Sequence, residues 1–160
     1  MNYFTLISYA MSHFFLMLFI YLFIVHRYSE LITGAICFFS FFALNMLDLF
    51  KLIFFPDSGL CYVVVTILQI ILTQSTAIFT SKEKSCQALF VGLSASSYVI
   101  AGAVFAAIVK IYTGSTLLAL TGSFAVHLAI LLLLSIHIRE ICLNFQKKSQ
   151  EKNCWELCLI

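Results

Sequence analysis

Long apolar stretches without a charged side chain dominate the sequence. A helix needs about 20 consecutive, mainly apolar residues to cross the hydrocarbon core of a bilayer. Runs of that length without Asp, Glu, Lys or Arg cover residues 2–26, 58–81, 85–109 and 111–138. A further apolar run, residues 31–55, is interrupted only by Asp48 and Lys51. The pattern therefore predicts five membrane-spanning helices.

The runs place these helices at about residues 3–25, 31–55, 60–80, 86–109 and 116–138. They are apolar all round, whereas the strands of a membrane barrel alternate apolar and polar residues, so helices are favoured. The connections are short, and Pro-Asp-Ser-Gly in one of them is typical of a turn, so neighbouring helices are expected to run antiparallel. The predicted fold class is all-α: a polytopic transmembrane helical bundle, forming a single domain over residues 1–160.

The composition supports a membrane protein and excludes two other classes. Hydrophobic residues make up 62% of the chain and charged residues 10%, with a mean hydropathy of +1.06. A soluble domain has about 45–50% apolar and about 25% charged residues, and a disordered chain is less apolar still. The net charge of +2 is too small to indicate nucleic-acid binding. The expected partner is the lipid bilayer.

The basic residues are distributed unevenly between the two ends of the predicted helices. The first, third and fifth connections contain seven of them: Arg27, Lys82, Lys84, Arg139, Lys147, Lys148 and Lys152. The other side has Lys110, and also Lys51 if its side chain extends outward. Because Lys and Arg are enriched in cytoplasmic loops, we expect a cell-membrane protein with its N-terminus outside and a cytoplasmic basic segment at residues 139–153.

The last seven residues, 154–160, are again mainly apolar and include Trp155, which suits the membrane interface. Seven residues are too few to cross about 30 Å of hydrocarbon. The segment is therefore either a short interfacial tail or the beginning of a sixth helix. We favour the second interpretation, in which the chain is a fragment of a longer protein.

Polar side chains recur at similar depth within the predicted helices, where each needs a partner. The candidates are His13, Asn45, Asp48, Lys51, Gln69 and His127. They form either a common polar layer that binds a ligand or carries protons, or interhelical hydrogen bonds that stabilise the bundle. Asp48 and Lys51 are three residues apart on one helix face and can pair. If Lys51 instead extends to the interface, His13 or His127 would be the partner of Asp48.

Small residues are concentrated in the fourth predicted helix: Gly92, Ser96, Gly102, Ala103, Ala106 and Ala107. Their spacing fits the small-xxx-small pattern, which lets helices approach closely. We therefore expect this helix to be the centre of helix packing.

No motif for catalysis, nucleotide binding or metal binding is present. The sequence lacks the phosphate-binding, zinc-protease and nucleophile-elbow patterns, and no two carboxylates are placed for acid–base chemistry. We predict no enzyme activity, no cofactor and no metal site.

The last quarter of the chain resembles the N-terminal membrane region of GHKL-type sensor histidine kinases from Gram-positive anaerobes. The histidine-bearing segment Ala125-Val126-His127-Leu128 is followed by Ile138-Arg139-Glu140, by the basic Phe145-Gln146-Lys147-Lys148, and by the apolar end of the chain. The resemblance implies a membrane sensor or signal-input module that has no catalytic machinery of its own. Candidate partners are a second copy of the chain and a downstream cytoplasmic signalling domain.

Two other functions fit a chain of this size. A small substrate-binding component of an importer would also use a polar pocket within the membrane, and it remains the alternative. A peptide-processing membrane endopeptidase would need a nucleophilic Cys shortly after a His, but His26 and Cys37 are eleven residues apart. The endopeptidase is therefore disfavoured.

Overall fold

The computed structural model describes residues 3–55, 58–82 and 85–148 and has six helices over these ranges. They are α1 (Tyr3–Phe23), α2 (Glu30–Phe54), α3 (Gly59–Thr80), α4 (Ser85–Thr113), α5 (Thr116–His137) and α6 (Arg139–Lys148). No strand occurs in the described ranges beyond an isolated bridge between His26 and Ser81. The predicted all-α class is confirmed.

The helix bounds agree closely with those predicted from the charge-free runs. α4 is the exception, because it continues past the predicted end at residue 109 to Thr113 and includes Lys110 in its last turn. A lysine in the last turn of a helix interacts favourably with the negative end of the helix dipole. The helix therefore includes Lys110, although the prediction ends it at the residue before this charge. The basic segment predicted at 139–153 is helical as far as Lys148, and the predicted sixth helix at 154–160 lies outside the described residues.

Helices α1 to α5 are each long and apolar enough to cross a membrane. Their outward faces have large exposed apolar side chains, including Leu31, Leu60 and Ile111, which are 82%, 77% and 81% exposed. Soluble monomers rarely expose a continuous apolar surface of this kind. Together these features define a multi-pass membrane protein.

α1 and α4 share the centre of the bundle. α1 packs against α2, α4, α5 and α6, and α4 packs against α1, α3 and α5. The buried side chains of α1 are Phe15, Leu16, Met17, Phe19, Ile20 and Phe23. α4 therefore shares the packing centre with α1, because the large side chains of α1 fill the middle while the small ones of α4 let its neighbours approach.

The helices alternate in direction, so the bundle has two ends. At the N-terminal end, α1, α3 and α5 begin and α2 and α4 finish. Ser58 and Ser115 cap the starts of α3 and α5 there by accepting backbone N–H groups three residues ahead. Gly114, with a φ of 66°, allows the tight turn after α4 because it has no β-carbon.

The opposite end, here called the α6 end, is joined by main-chain contacts between two connections. The Arg27 N–H donates to the Thr80 carbonyl at 2.8 Å, and the Lys82 N–H donates to the Val25 carbonyl at 2.9 Å. The Arg139 side-chain Nε also donates to the Leu22 carbonyl at 3.0 Å. These contacts connect the end of α1 to the end of α3 and to the start of α6.

Candidate functional site

Asp48 and Lys51 form a buried ion pair within α2. The Lys51 Nζ donates to the Asp48 Oδ1 at 2.9 Å, and Lys51 and Asp48 are only 6% and 3% exposed. This confirms the pairing predicted from their spacing. Both charges lie inside the bundle near its N-terminal end, so each depends on its neighbours for stabilisation.

Two aromatic rings enclose the Lys51 ammonium group. The Lys51 Nζ lies 4.6 Å from the ring centroid of Tyr9 on α1 and 4.6 Å from that of Tyr62 on α3. Such cation–π contacts strengthen when the cation is removed from water. The alternative that Lys51 extends outward to the interface is therefore wrong, because its side chain turns inward between three helices.

His13 on α1 is the interhelical partner of Asp48. Its Nε2 lies 3.6 Å from the Asp48 Oδ2, which makes an ion pair when the imidazole is protonated. Of the two histidines considered as partners, the structure places His13 there and His127 elsewhere. Asn45, which was assigned to the same polar layer, interacts with the His13 side chain and also donates its Nδ2 to the Phe41 carbonyl on its own helix. We call His13, Asp48, Lys51, Tyr9 and Tyr62 the charged cluster.

His127 is the centre of a second polar group, formed by α4 and α5. Its side chain is fully buried, and its Nδ1 lies 2.8 Å from the Ser123 carbonyl. A carbonyl oxygen can only accept, so Nδ1 carries the proton. The Ser123 hydroxyl in turn donates to the Gly102 carbonyl at 3.2 Å, and the Tyr98 hydroxyl donates to the His127 carbonyl at 2.7 Å.

The His127 ring is fixed in place by the groups above and below it. Phe15 stacks on it with centroids 5.0 Å apart and an interplanar angle of 16°, and Tyr98 meets it edge-on at 5.3 Å. On the α4 side the ring occupies the space that a side chain at Gly102 would need. Its Nε2 has no hydrogen-bond partner among the described residues. We call His127, Ser123, Tyr98, Gly102 and Phe15 the histidine cluster.

The expected single polar layer is therefore divided. The described contacts place His13 and Asp48 between α1 and α2, and His127 between α4 and α5. Gln69 on α3 belongs to neither cluster, and its Nε2 is buried with no partner in the described part of the chain. Similar depth was not enough to bring these groups together, because they lie on differently oriented helix faces.

The small residues of α4 have two different environments. Gly92 lies against the Gln74 side chain of α3 and Gly102 against His127 of α5, so both are at close helix contacts. Ser96 donates its hydroxyl to the Gly92 carbonyl of its own helix at 3.0 Å.

The alanines of α4 do not make the expected close contact. Ala103 and Ala107 are exposed, and with the half-buried Ala106 they form one wall of a cleft. The expectation of tight packing at these three positions is therefore wrong. Their methyl groups leave space that the start of α1 and the start of α5 surround without filling.

This N-terminal cleft lies between α1, α4 and α5 and has a volume of about 220 Å³. Four hydroxyl-bearing residues line it, Thr5, Ser8, Tyr9 and Thr116, and Lys110 stands at the exposed end of the α4 wall. Tyr9 belongs to both the cleft and the charged cluster. The cleft combines apolar walls with hydroxyl groups and a single cation, which is suited to binding a small molecule.

Metal binding has no support in the described ranges. No group of three or more His, Cys, Asp and Glu side chains there could hold a metal ion. The two clusters and the N-terminal cleft instead provide hydrogen-bonding groups, charged groups and a concave surface for a ligand.

Sequence reasoning missed several members of these clusters. Tyr9 and Ser123 each precede a singled-out histidine by four residues and so share its helix face, a signal that could have identified them. Tyr62, Tyr98 and Phe15 come from neighbouring helices, and no spacing in the sequence points to them.

Comparison with protein-family models, curated proteins and solved structures finds no match to this chain. The class of the protein therefore rests on its own features: it is an all-α, multi-pass membrane protein with two buried polar clusters and a cleft at one end.

Proposed function

We propose that the chain is a membrane signal-input module whose N-terminal cleft faces the outside of the cell. The module would bind a signal molecule in the cleft and pass the change along its helices to α6. We assign no catalytic step to it, and a cytoplasmic signalling domain that follows α6 would receive the signal.

The observation that carries this proposal is the path of α1 and α5. Both helices line the cleft at one end of the bundle, and both pack against α6 at the other. α5 is separated from α6 by Ile138 alone, and Arg139 of α6 hydrogen-bonds to the Leu22 carbonyl of α1. A change in the angle between α1 and α5 at the cleft would thus act directly on α6.

The distribution of basic residues supports the orientation. Arg27, Lys82 and Arg139 lie at the α6 end, and the basic segment continues beyond Arg139. At the N-terminal end Lys51 is buried, which leaves Lys110 as the exposed basic residue of the described chain there. By the positive-inside rule the α6 end would lie in the cytoplasm.

Cysteine labelling in intact cells tests this orientation. In a background without the six native cysteines, Tyr112→Cys should react with a membrane-impermeant maleimide, because Tyr112 is 86% exposed at the N-terminal end. Glu140→Cys on α6 should react only after the membrane is permeabilised. The reverse pattern would show that the N-terminus is inside.

A chimeric kinase tests the signalling role. With the cytoplasmic part of a characterised sensor histidine kinase joined after Lys148, Ala107→Trp fills the cleft and should change autophosphorylation in membrane vesicles about fivefold or more. That factor corresponds to the lower end of typical allosteric coupling. Ala101→Trp is the matched control, because Ala101 is an exposed alanine of α4 that does not line the cleft.

The two chimeras must be present at equal amounts and have equal thermal stability for the comparison. Equal kinase output from Ala107→Trp and Ala101→Trp would contradict the signalling role. The importer alternative uses the same cleft but predicts no effect on an attached kinase, so that result would favour it.

A further inference from the structure

None of the carboxylates in the described part of the chain forms an ion pair with Lys110. They belong to Glu30, Asp48 and Glu140. Asp48 is already paired with Lys51 and His13, while Glu30 and Glu140 begin α2 and α6 at the α6 end. The cleft therefore has a positive charge that no described acidic side chain neutralises.

The remaining polar groups of the cleft also suit an anion. The Thr5, Ser8 and Thr116 hydroxyls can each donate a hydrogen bond, and no acidic residue lines the walls. α5 begins at Thr116, so the positive end of its helix dipole lies at the cleft. Lys110 in the last turn of α4 and Thr116 at the start of α5 flank one tight connection, so the cation and the positive end of α5 both lie at the N-terminal end of the cleft.

The size and walls of the cleft limit the rest of the molecule. Ala103, Ala106 and Ala107 of α4 and Ala119 and Leu120 of α5 line it, so the lining away from Lys110 is mainly apolar. The volume of about 220 Å³ lies below the roughly 300–1,000 Å³ typical of pockets for drug-sized ligands. A short single apolar chain matches this volume, whereas two acyl chains or a folded peptide exceed it.

We propose that the N-terminal cleft binds a small single-chain anionic amphiphile, a carboxylate on a short apolar body, with the anionic group at Lys110. This inference rests on the proposed function, in which it names the class of signal molecule. Tyr9 gives the occupant a contact with the charged cluster, since its ring lies in the cleft wall and 4.6 Å from the Lys51 ammonium.

Protection of an engineered thiol tests this binding on the purified full chain. The protein carries Ala107→Cys in the background without native cysteines, in nanodiscs of neutral lipid, and reacts with a membrane-impermeant maleimide. Octanoate should slow the reaction several-fold and saturably, while octanol and octylammonium, which have the same chain length, should not. Tyr112→Cys lies at the same end outside the cleft and should show no protection.

Two further variants isolate the role of the charge. Lys110→Gln should abolish protection by octanoate, whereas Lys110→Arg, which retains the cation, should preserve it. Equal protection by octanol and octanoate, or full protection in Lys110→Gln, would overturn the proposal, because the cleft would then bind apolar chains without recognising an anion. An unreactive Ala107→Cys in the absence of ligand would also overturn it, since the cleft would be closed to polar molecules.

A third arm distinguishes the free amphiphile from a bilayer lipid. If nanodiscs that contain phosphatidylglycerol slow the labelling of Ala107→Cys without octanoate, the occupant is an anionic lipid and the proposal fails. The thiol-protection assay and the chimeric-kinase assay can fail independently. If octanoate protects Ala107→Cys but Ala107→Trp does not change the activity of the chimeric kinase, the cleft binds the amphiphile and the proposed signalling role is wrong.

Discussion

Replacement of Asp48 by Asn is expected to destabilise the bundle by about 3–5 kcal/mol, because it removes one partner of a buried ion pair. Lys51, which is only 6% exposed, would then hold its ammonium group between a neutral amide and two tyrosine rings, without the carboxylate that neutralises it. Since the side chain is turned inward, it must reorganise before it can reach water. Thermal denaturation of the purified protein in detergent measures the effect.

Two controls separate the buried pair from a general effect of charge. Glu30→Gln removes an exposed carboxylate at the start of the same helix and should change stability little. The double variant Asp48→Asn with Lys51→Met removes both charges and should recover much of the loss, because nothing is left unpaired. If Asp48→Asn were as stable as the parent protein, the pair would have no structural role.

Replacement of Gly102 by Ala is expected to destabilise the protein by about 1–3 kcal/mol, the usual cost of overpacking a filled core. The new methyl group would overlap the His127 ring, which Phe15 and Tyr98 hold from other sides. Helix propensity alone would make the alanine variant more stable by about 0.8–1.0 kcal/mol. A loss of stability would therefore identify the overlap between the new methyl group and the His127 ring. The same detergent denaturation assay applies.

Gly34→Ala is the matched control for this change. Gly34 is also within a helix, but the nearest atom to an added β-carbon is 3.9 Å away, on Tyr21, which is an ordinary contact. This variant should be unchanged or more stable. Combining Gly102→Ala with His127→Ala should cost less than the sum of the single changes, because His127→Ala removes the ring that the new methyl group overlaps, and the methyl group partly fills the space that the ring leaves. Equal behaviour of the two glycine variants would show that the His127 ring moves aside freely.

Features that depend on local sequence were predictable. The five candidate membrane helices followed from four charge-free runs and a fifth apolar run with only two charged residues, because the cost of placing charge in lipid is the dominant constraint at this level. The pairing of Asp48 with Lys51 followed from helical spacing alone. Both predictions need only the geometry of a single helix.

Features that depend on the rotation of one helix against another were not predictable. Gly102 and His127 were singled out for separate reasons, yet the structure places one directly against the other. Ala103 and Ala107 fit a packing motif but line a cleft, because the motif describes one surface and not whether a partner covers it. The proposed anion site exists because no other helix of the described chain covers the alanine surface.

The joined connections at the α6 end also bear on how this protein can change during evolution. Their contacts use the Arg27 and Lys82 N–H groups and the carbonyls of Thr80 and Val25, which are atoms that nearly any replacement residue would also supply. At positions 27 and 82 only proline lacks the required donor. Most substitutions at these two positions would therefore preserve the main-chain hydrogen bonds between the two connections. For this reason the hydrogen bonds leave no recognisable pattern in the sequence.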